Sequence, residues 1–247
     1  ILGFFAVWAF FLMLRVFDEH KDYALDCLNH PDRVLQSGKV TLGHLKVLGV
    51  LAIALQATVS FYLDGGWGLI PLFWISAFGW SLLMAVEFFC GEWLEKRLVL
   101  YATSHMIVMP MALVWMAQMG ALKLALPTTI TLLAALSFLS GASFEITRKM
   151  KAPEDERDTI DSYTRVLGTT RAPIVVACLL LGGLAISWFI LEAIFVQGVP
   201  LYWALFFLVG ILPALVALQR FRESPSAKRA KNAEGMVGLG MLVSYIL

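Results

Sequence analysis

The sequence predicts an all-α, polytopic transmembrane helical bundle. Three observations predict it: an apolar composition, a series of apolar runs with little between them, and connections that alternate between long charged and short. Residues AVILMFWYC make up 60% of the 247 residues and charged residues only 15%. Soluble domains are nearer half apolar and a quarter charged. Mean hydropathy is +0.78. The net charge of +1 lacks the basic excess of a nucleic-acid-binding face, so no nucleic acid partner is expected.

In chain order the runs are Ile1–Leu14, Leu45–Leu63, Trp67–Cys90, Leu98–Met119, Leu124–Phe144, Pro173–Val196, Leu201–Leu218 and Met236–Leu247. That makes eight spans, six of full length. Runs near the roughly 20 residues that cross a bilayer must satisfy their own backbone in lipid, so they are helices. The opening and closing runs are short, and natural sequence is expected beyond both ends. The first run has neither the basic n-region nor the cleavage site of a signal peptide. Pro71, Pro110 and Pro213 are candidate kinks. The DGGWG stretch from Asp64 to Gly68 reads as a tight turn. Cys27, Cys90 and Cys178 stand apart with no CxxC pair, so they read as small packing residues and not as a disulfide or zinc framework.

The connections Phe17–His44, Gly91–Arg97, Glu145–Ala172 and Gln219–Gly235 are long and charged, whereas Asp64–Gly66, Gly120–Lys123 and Gln197–Pro200 are short. Of 19 Lys and Arg residues, 18 lie in the long set or in the helix turns beside it. Basic residues mark the cytoplasmic side. Sixteen of 18 Asp and Glu residues lie on that same side, which the topology rule does not require.

After the first run the chain reads RVFDEHKDYALDCLNHPDRVLQSG, with Asp18, Asp22 and Asp26 every four residues. At 3.6 residues per turn they form one stripe that drifts about 40° per step. Stacked like charges repel, whereas Mg²⁺ takes oxygen ligands and shares them with substrate phosphates. Neutralisation by Arg15 and Lys21 is the competing reading. A second cluster, FEITRKMKAPEDERDTIDSYTRVLG, holds Glu145, Glu154, Asp155, Glu156, Asp158 and Asp161 among Arg148, Lys149, Lys151, Arg157 and Arg165. By itself it also fits a solvated mixed-charge loop. Two carboxylate groups facing each other could bridge metals around a diphosphate, with Arg and Lys on its remaining oxygens.

The first motif and its NHPDR tail resemble the first aspartate-rich motif of the UbiA superfamily of intramembrane prenyltransferases. Asp18 stands at that motif's usual Asn and Glu19 at its usual Asp. Asp22 and Asp26 match directly, as do Asn29, Pro31 and Arg33, while Val34 stands where a second Pro is common. FEITRK with Asp155, Asp158 and TRVLG resembles the second acidic motif less closely, with Lys149 at a frequent Asp position. EWLEKR resembles the Tyr-x-x-x-Lys element, with Glu92 for Tyr and Lys96 matching.

The resemblance covers essentially the whole chain and implies a nine-helix fold of which the first helix is missing, so that residues 1–247 form a single prenyltransferase-like domain. It implies an Mg²⁺-dependent transferase that moves an isoprenoid chain from an allylic polyprenyl diphosphate to an acceptor such as an aromatic or quinone-precursor molecule. Asp18, Asp22, Asp26, Glu145, Asp155 and Asp158 are the expected metal ligands. Arg33, Lys96, Arg97, Arg148 and Arg165 are the expected diphosphate contacts, with Lys96 also counted with the aspartates as catalytic. Membrane lipids surround the chain, and the basic face points to the cytoplasmic side of a bacterial or archaeal inner (plasma) membrane. Arg97, Tyr101 and His105, at i, i+4 and i+8, read either as the border of the acceptor pocket or as a satisfied core stripe. His20 reads as a spectator among the aspartates, and His30 as part of the turn at Pro31. Two further readings stay open: a terpene cyclase of the same superfamily, and a degenerate structural subunit with membrane protein partners. Span centres without Asp, Glu, Lys or Arg argue against an ion-coupled transporter.

Overall fold

The computed structural model describes residues 1–120, 127–156, 162–195 and 197–246. Among them there are helices and turns and no strand. The helices are α1 (Leu2–Lys21), α2 (Tyr23–Asn29), α3 (Leu42–Asp64), α4 (Leu69–Ala85), α5 (Gly91–Glu95), α6 (Leu98–Met106), α7 (Val108–Gly120), α8 (Pro127–Arg148), α9 (Tyr163–Ile194), α10 (Leu201–Glu223) and α11 (Ala227–Ser244). Each expected span falls on one helix, with α6 and α7 together forming one. Among the described residues, five helical stretches are long and apolar enough to cross a membrane: Leu42–Asp64, Leu98–Gly120, Thr128–Arg148, Tyr163–Ile194 and Leu201–Glu223. The count falls below eight because α4 has only 17 residues, α1 carries Arg15, Asp18 and Glu19, and α11 opens on Lys228, Arg229 and Lys231.

The chain divides into two compact units: Ile1–Trp93 with Met111–Ala125, and Leu94–Pro110 with Leu126–Leu247. In the first, α1 buries Ala6, Ala9, Phe10, Met13 and Val16, a helical stripe. It packs on α3, where a Cβ at Gly49 would lie 3.1 Å from Val16. Phe4, Phe5, Trp8 and Phe11 on α1 stay exposed, as lipid-facing side chains do. Beneath the stripe runs a buried polar chain. The Trp74 indole donates to Gln56 Oε1 at 3.1 Å, Ser60 Oγ to the Gln56 carbonyl at 2.7 Å, and the Trp115 indole to Ser60 Oγ at 3.1 Å. Gln56 Nε2 lies 3.9 Å from Met13 Sδ, so α1 is keyed to this chain.

Thr41 caps α3 in a capping box with His44. The DGGWG stretch is a turn in which Gly65 (φ 66) ends α3 in the left-handed region that glycine tolerates. Asp64 Oδ2 accepts the Ile70 N–H at 2.7 Å, satisfying one free donor at the start of α4. After α4, Glu87, Phe88 and Phe89 take φ of 50, 52 and 58. Three successive non-glycine residues there are costly, at about 1–2 kcal/mol each.

The second unit packs α8 on α9, with Leu139 and Leu136 against Gly182 and Gly183, and α10 on α11, with Ala214 against Gly240. Small residues permit such approach between membrane helices. The α6–α7 break at Ile107 has its cause in Pro110, which lacks an N–H and whose ring crowds the turn before it. Pro71 sits harmlessly in the first turn of α4 and Pro213 lies within α10 without ending it. Helix α9 starts ten residues before the apolar run because Ser162 caps it, accepting the Arg165 N–H at 2.9 Å. Gly168 (φ 85) then breaks its regular geometry. Cys90, between α4 and α5, and Cys178, on an outward face of α9, are exposed, not packed.

Candidate functional site

In the first unit, α1 gives way to α2 at Asp22, whose φ of −91 and ψ of 2 lie in the bridge region. The backbone bonds continue regardless. Asp22 N donates to Asp18 O, Asp26 N to Asp22 O, and His30 N to Asp26 O, each at 2.8 Å. The aspartates therefore keep one-turn spacing through the break. The NHPDR tail folds back as Arg33 N bonds the His30 carbonyl at 3.2 Å, which brings Arg33 Nη1 to 2.7 Å from Asp26 Oδ2. An expected diphosphate contact thus meets an expected metal ligand. Arg15 pairs with Glu19, while Glu19 Oε2 is buried without a hydrogen-bond partner. Lys21 Nζ lies 2.8 Å from Glu87 Oε1 in a largely buried pair, which ties the end of α1 to the segment after α4. His20 turns Nδ1 to the Val16 carbonyl at 2.8 Å. The Tyr23 phenol is raised above its ordinary pKa, first by its side-chain hydrogen bond with Cys27, so it stays protonated at neutral pH.

In the second unit, Glu145 lies in the last turn of α8 with a side chain only 12% exposed. Arg148 Nη2 approaches its Oε2 at 2.7 Å and Lys149 Nζ its Oε1 at 2.8 Å. Both oxygens of this expected metal ligand are thereby engaged by cations. Lys149 also sits 5.3 Å from the centroid of the Tyr101 ring, a cation–π distance. Tyr101 stacks on His105 at 4.0 Å, and His105 Nδ1 lies 2.8 Å from the Tyr101 carbonyl. The segment after α8 is fastened by its own polar groups. Glu156 Oε1 accepts from Ser162 Oγ at 2.5 Å and Thr164 Oγ1 at 3.0 Å, and the Lys151 N–H donates to Thr164 Oγ1 at 2.8 Å. Tyr163 Oη donates to the Leu98 carbonyl at 3.4 Å, tying the start of α9 to the start of α6. Lys96 and Arg97 are exposed immediately before α6, where helix N–H groups already favour an anion. Asp155 and Arg165 are exposed; Asp158 lies outside the described residues.

The residues fit Mg²⁺ by the chemistry of their donors. The stripe offers hard carboxylate oxygens, and the buried, unpartnered Glu19 Oε2 adds another beside it. Among the described residues, no three His, Cys, Asp or Glu side chains converge closely enough to hold an ion by themselves. Any Mg²⁺ here would therefore need waters and substrate phosphates beside one or two of these carboxylates.

Sequence reasoning missed Glu87 and gave Lys149 no role. Glu87 carried a signal, being a carboxylate inside an apolar run. For Lys149 the signal was its i, i+4 spacing from Glu145.

Three comparisons bear on what this assembly does. The digeranylgeranylglyceryl phosphate synthase of Methanothermobacter thermautotrophicus is 26% identical over 243 residues, covering 94% of this chain and 77% of the relative. A solved structure from a study of digeranylgeranylglyceryl phosphate synthase in membranes matches 98% of this chain and 81% of its own at a TM-score of 0.64 and 17% identity, a likeness of fold. The UbiA prenyltransferase family model matches residues 1–242. Helices, membrane-length spans and family match agree: this integral membrane protein is a prenyltransferase and belongs to the UbiA prenyltransferase family.

Proposed function

We propose that this protein transfers an isoprenoid chain from an allylic polyprenyl diphosphate to a lipid-soluble acceptor, with Mg²⁺ required, at the cytoplasmic side of the membrane. The observation that carries this reading is the aspartate stripe, kept in register by three consecutive 2.8 Å backbone bonds and closed by Arg33. In the reaction the allylic C–O bond breaks, its electron pair leaves with the diphosphate, and the acceptor's nucleophile bonds to the freed carbon and gives up a proton. Asp18, Asp22 and Asp26 would hold Mg²⁺, which when bound would supply positive charge to the leaving diphosphate, where charge develops most.

Asp18, Asp22 and Asp26 are the proposed metal-holding side chains, with Asp155 and Asp158 proposed as donors from the second motif. Glu145, also expected as a ligand, is read here as the partner of Arg148 and Lys149, because both its oxygens are occupied by them. Arg33, Lys96, Arg97, Arg148 and Arg165 are the proposed diphosphate contacts.

For the acceptor, the Methanothermobacter relative's name directs attention to a prenylated glyceryl phosphate, ahead of the aromatic and quinone-precursor acceptors. The test uses the purified chain in lipid nanodiscs with geranylgeranyl diphosphate and Mg²⁺. Geranylgeranylglyceryl phosphate and a hydroxybenzoate are offered in parallel, and products are read by mass spectrometry. A doubly prenylated glyceryl phosphate is expected. A prenylated aromatic instead would move the acceptor class, and a cyclic terpene formed without acceptor would overturn the transfer reading.

A further inference from the structure

We propose that Lys149 binds the substrate's diphosphate directly, and that Glu145 is a positioning residue that holds the ammonium in place. The inference rests on the prenyl-transfer reading above. An ammonium has three donors. One meets Glu145 Oε1 at 2.8 Å, and the ring of Tyr101 lies 5.3 Å away on another side. Lys149 keeps 28% of its side chain accessible, so a donor remains for an incoming phosphoryl oxygen. Glu145 carries one negative charge against the two positive charges of Arg148 and Lys149. Among these three side chains positive charge is in excess, which favours an anion beside Lys149.

The ring it rests on belongs to α6. Tyr101 N donates to the Arg97 carbonyl at 3.0 Å, one turn from the Lys96–Arg97 pair at the helix start. Pairing with Glu145 removes the usual entropic penalty of a lysine, whose flexible stem otherwise has to be ordered when the ligand arrives. The C-terminal end of α8 also favours cations, and that purely structural role is what the experiment has to separate from binding.

The experiment measures binding of inorganic pyrophosphate to the full chain in nanodiscs by titration calorimetry, with Mg²⁺ and again in EDTA. Wild type is expected to bind in both, more tightly with Mg²⁺. Lys149→Met should weaken binding roughly tenfold or more in both, the loss of a charge-assisted hydrogen bond, while Lys149→Arg, which keeps the charge but not the compact ammonium, should lose less. The double variant Glu145→Gln with Lys149→Met is the discriminating arm. If Lys149 contacts the ligand, affinity stays low. Recovery of wild-type affinity means that Lys149 only masks Glu145, and it overturns the proposal. Unchanged affinity in Lys149→Met, or no wild-type binding in EDTA, also overturns it. Circular dichroism and elution profile control for folding, and Lys149→Gln serves should the Met variant fail to fold. Asp22→Ala separates this inference from the reading it rests on. It should abolish the gain in affinity due to Mg²⁺ and spare binding in EDTA. If it leaves that gain intact, the metal reading fails whatever Lys149 does.

Discussion

Replacing Gln56 with leucine removes the acceptor of the Trp74 indole N–H without opening a large cavity. Gln56 is fully buried and Trp74 is 7% exposed, so the indole donor has no water to turn to. Leaving a buried donor unpaired costs about 1–3 kcal/mol. Leucine returns part of this through its apolar side chain, and hydrogen bonds between membrane helices average nearer about 0.6 kcal/mol. The expected net loss is about 1 kcal/mol. Trp74→Phe orphans Gln56 Oε1 in the same way, so the double variant should be more stable than the sum of the single losses. The coupling should be about 0.6–2 kcal/mol, because one hydrogen bond has been counted twice. Reversible unfolding in mixed micelles measures all four corners of the cycle. Strict additivity would refute the claim that this bond is satisfied and buried. The consequence reaches the site, since Met13 contacts Gln56 and Asp18 lies little more than one turn further along α1.

Three other outcomes follow from the same structure. Gly210→Ala should destabilise the protein and Gly79→Ala stabilise it, read as shifts in detergent melting temperature. A Cβ at Gly210 would overlap the Val243 side chain whereas one at Gly79 meets nothing within 4 Å; overpacking costs about 1–3 kcal/mol and helix propensity returns up to about 1. Phe89→Gly should raise the melting temperature by relieving about 1–2 kcal/mol of left-handed strain against about 0.5–1 kcal/mol of added chain entropy, since its side chain is 83% exposed and contributes little packing. Lys96→Ala should raise KM for the diphosphate substrate more than it lowers kcat, and an unchanged KM would remove the residue from the diphosphate contacts.

Much of this architecture is legible from residues alone, and where it is not the physics says why. Apolar runs locate helix cores because lipid demands them, but they misplace ends. The ten residues from Tyr163 to Ala172, broken at Gly168, start their helix at the Ser162 cap, which hydropathy does not register. The four-residue aspartate spacing survives in the structure because the backbone bonds run on through Asp22. What spacing could not give is the partner of each charge. Glu145 reads as a metal ligand in an acidic motif, yet the cations three and four residues on take both its oxygens. Lys21 reads as a neutraliser of the stripe, and spacing gave no hint that it also pairs with Glu87, 66 residues away in sequence. Glu156, one charge among many in its loop, is a fastening for Ser162 and Thr164.

The central claim is that the aspartate stripe makes prenyl transfer metal-dependent. The rate of diphosphate release from geranylgeranyl diphosphate and acceptor, followed against Mg²⁺ concentration in wild type, Asp22→Ala and Asp26→Ala, tests it most directly. The expected result is saturable activation of the wild type, none in EDTA, and loss of at least about a hundredfold in each variant while helical content is retained, as befits removal of a charge-stabilising group worth about 2.7–4 kcal/mol. Wild-type turnover in both variants, or full activity in EDTA, would contradict it.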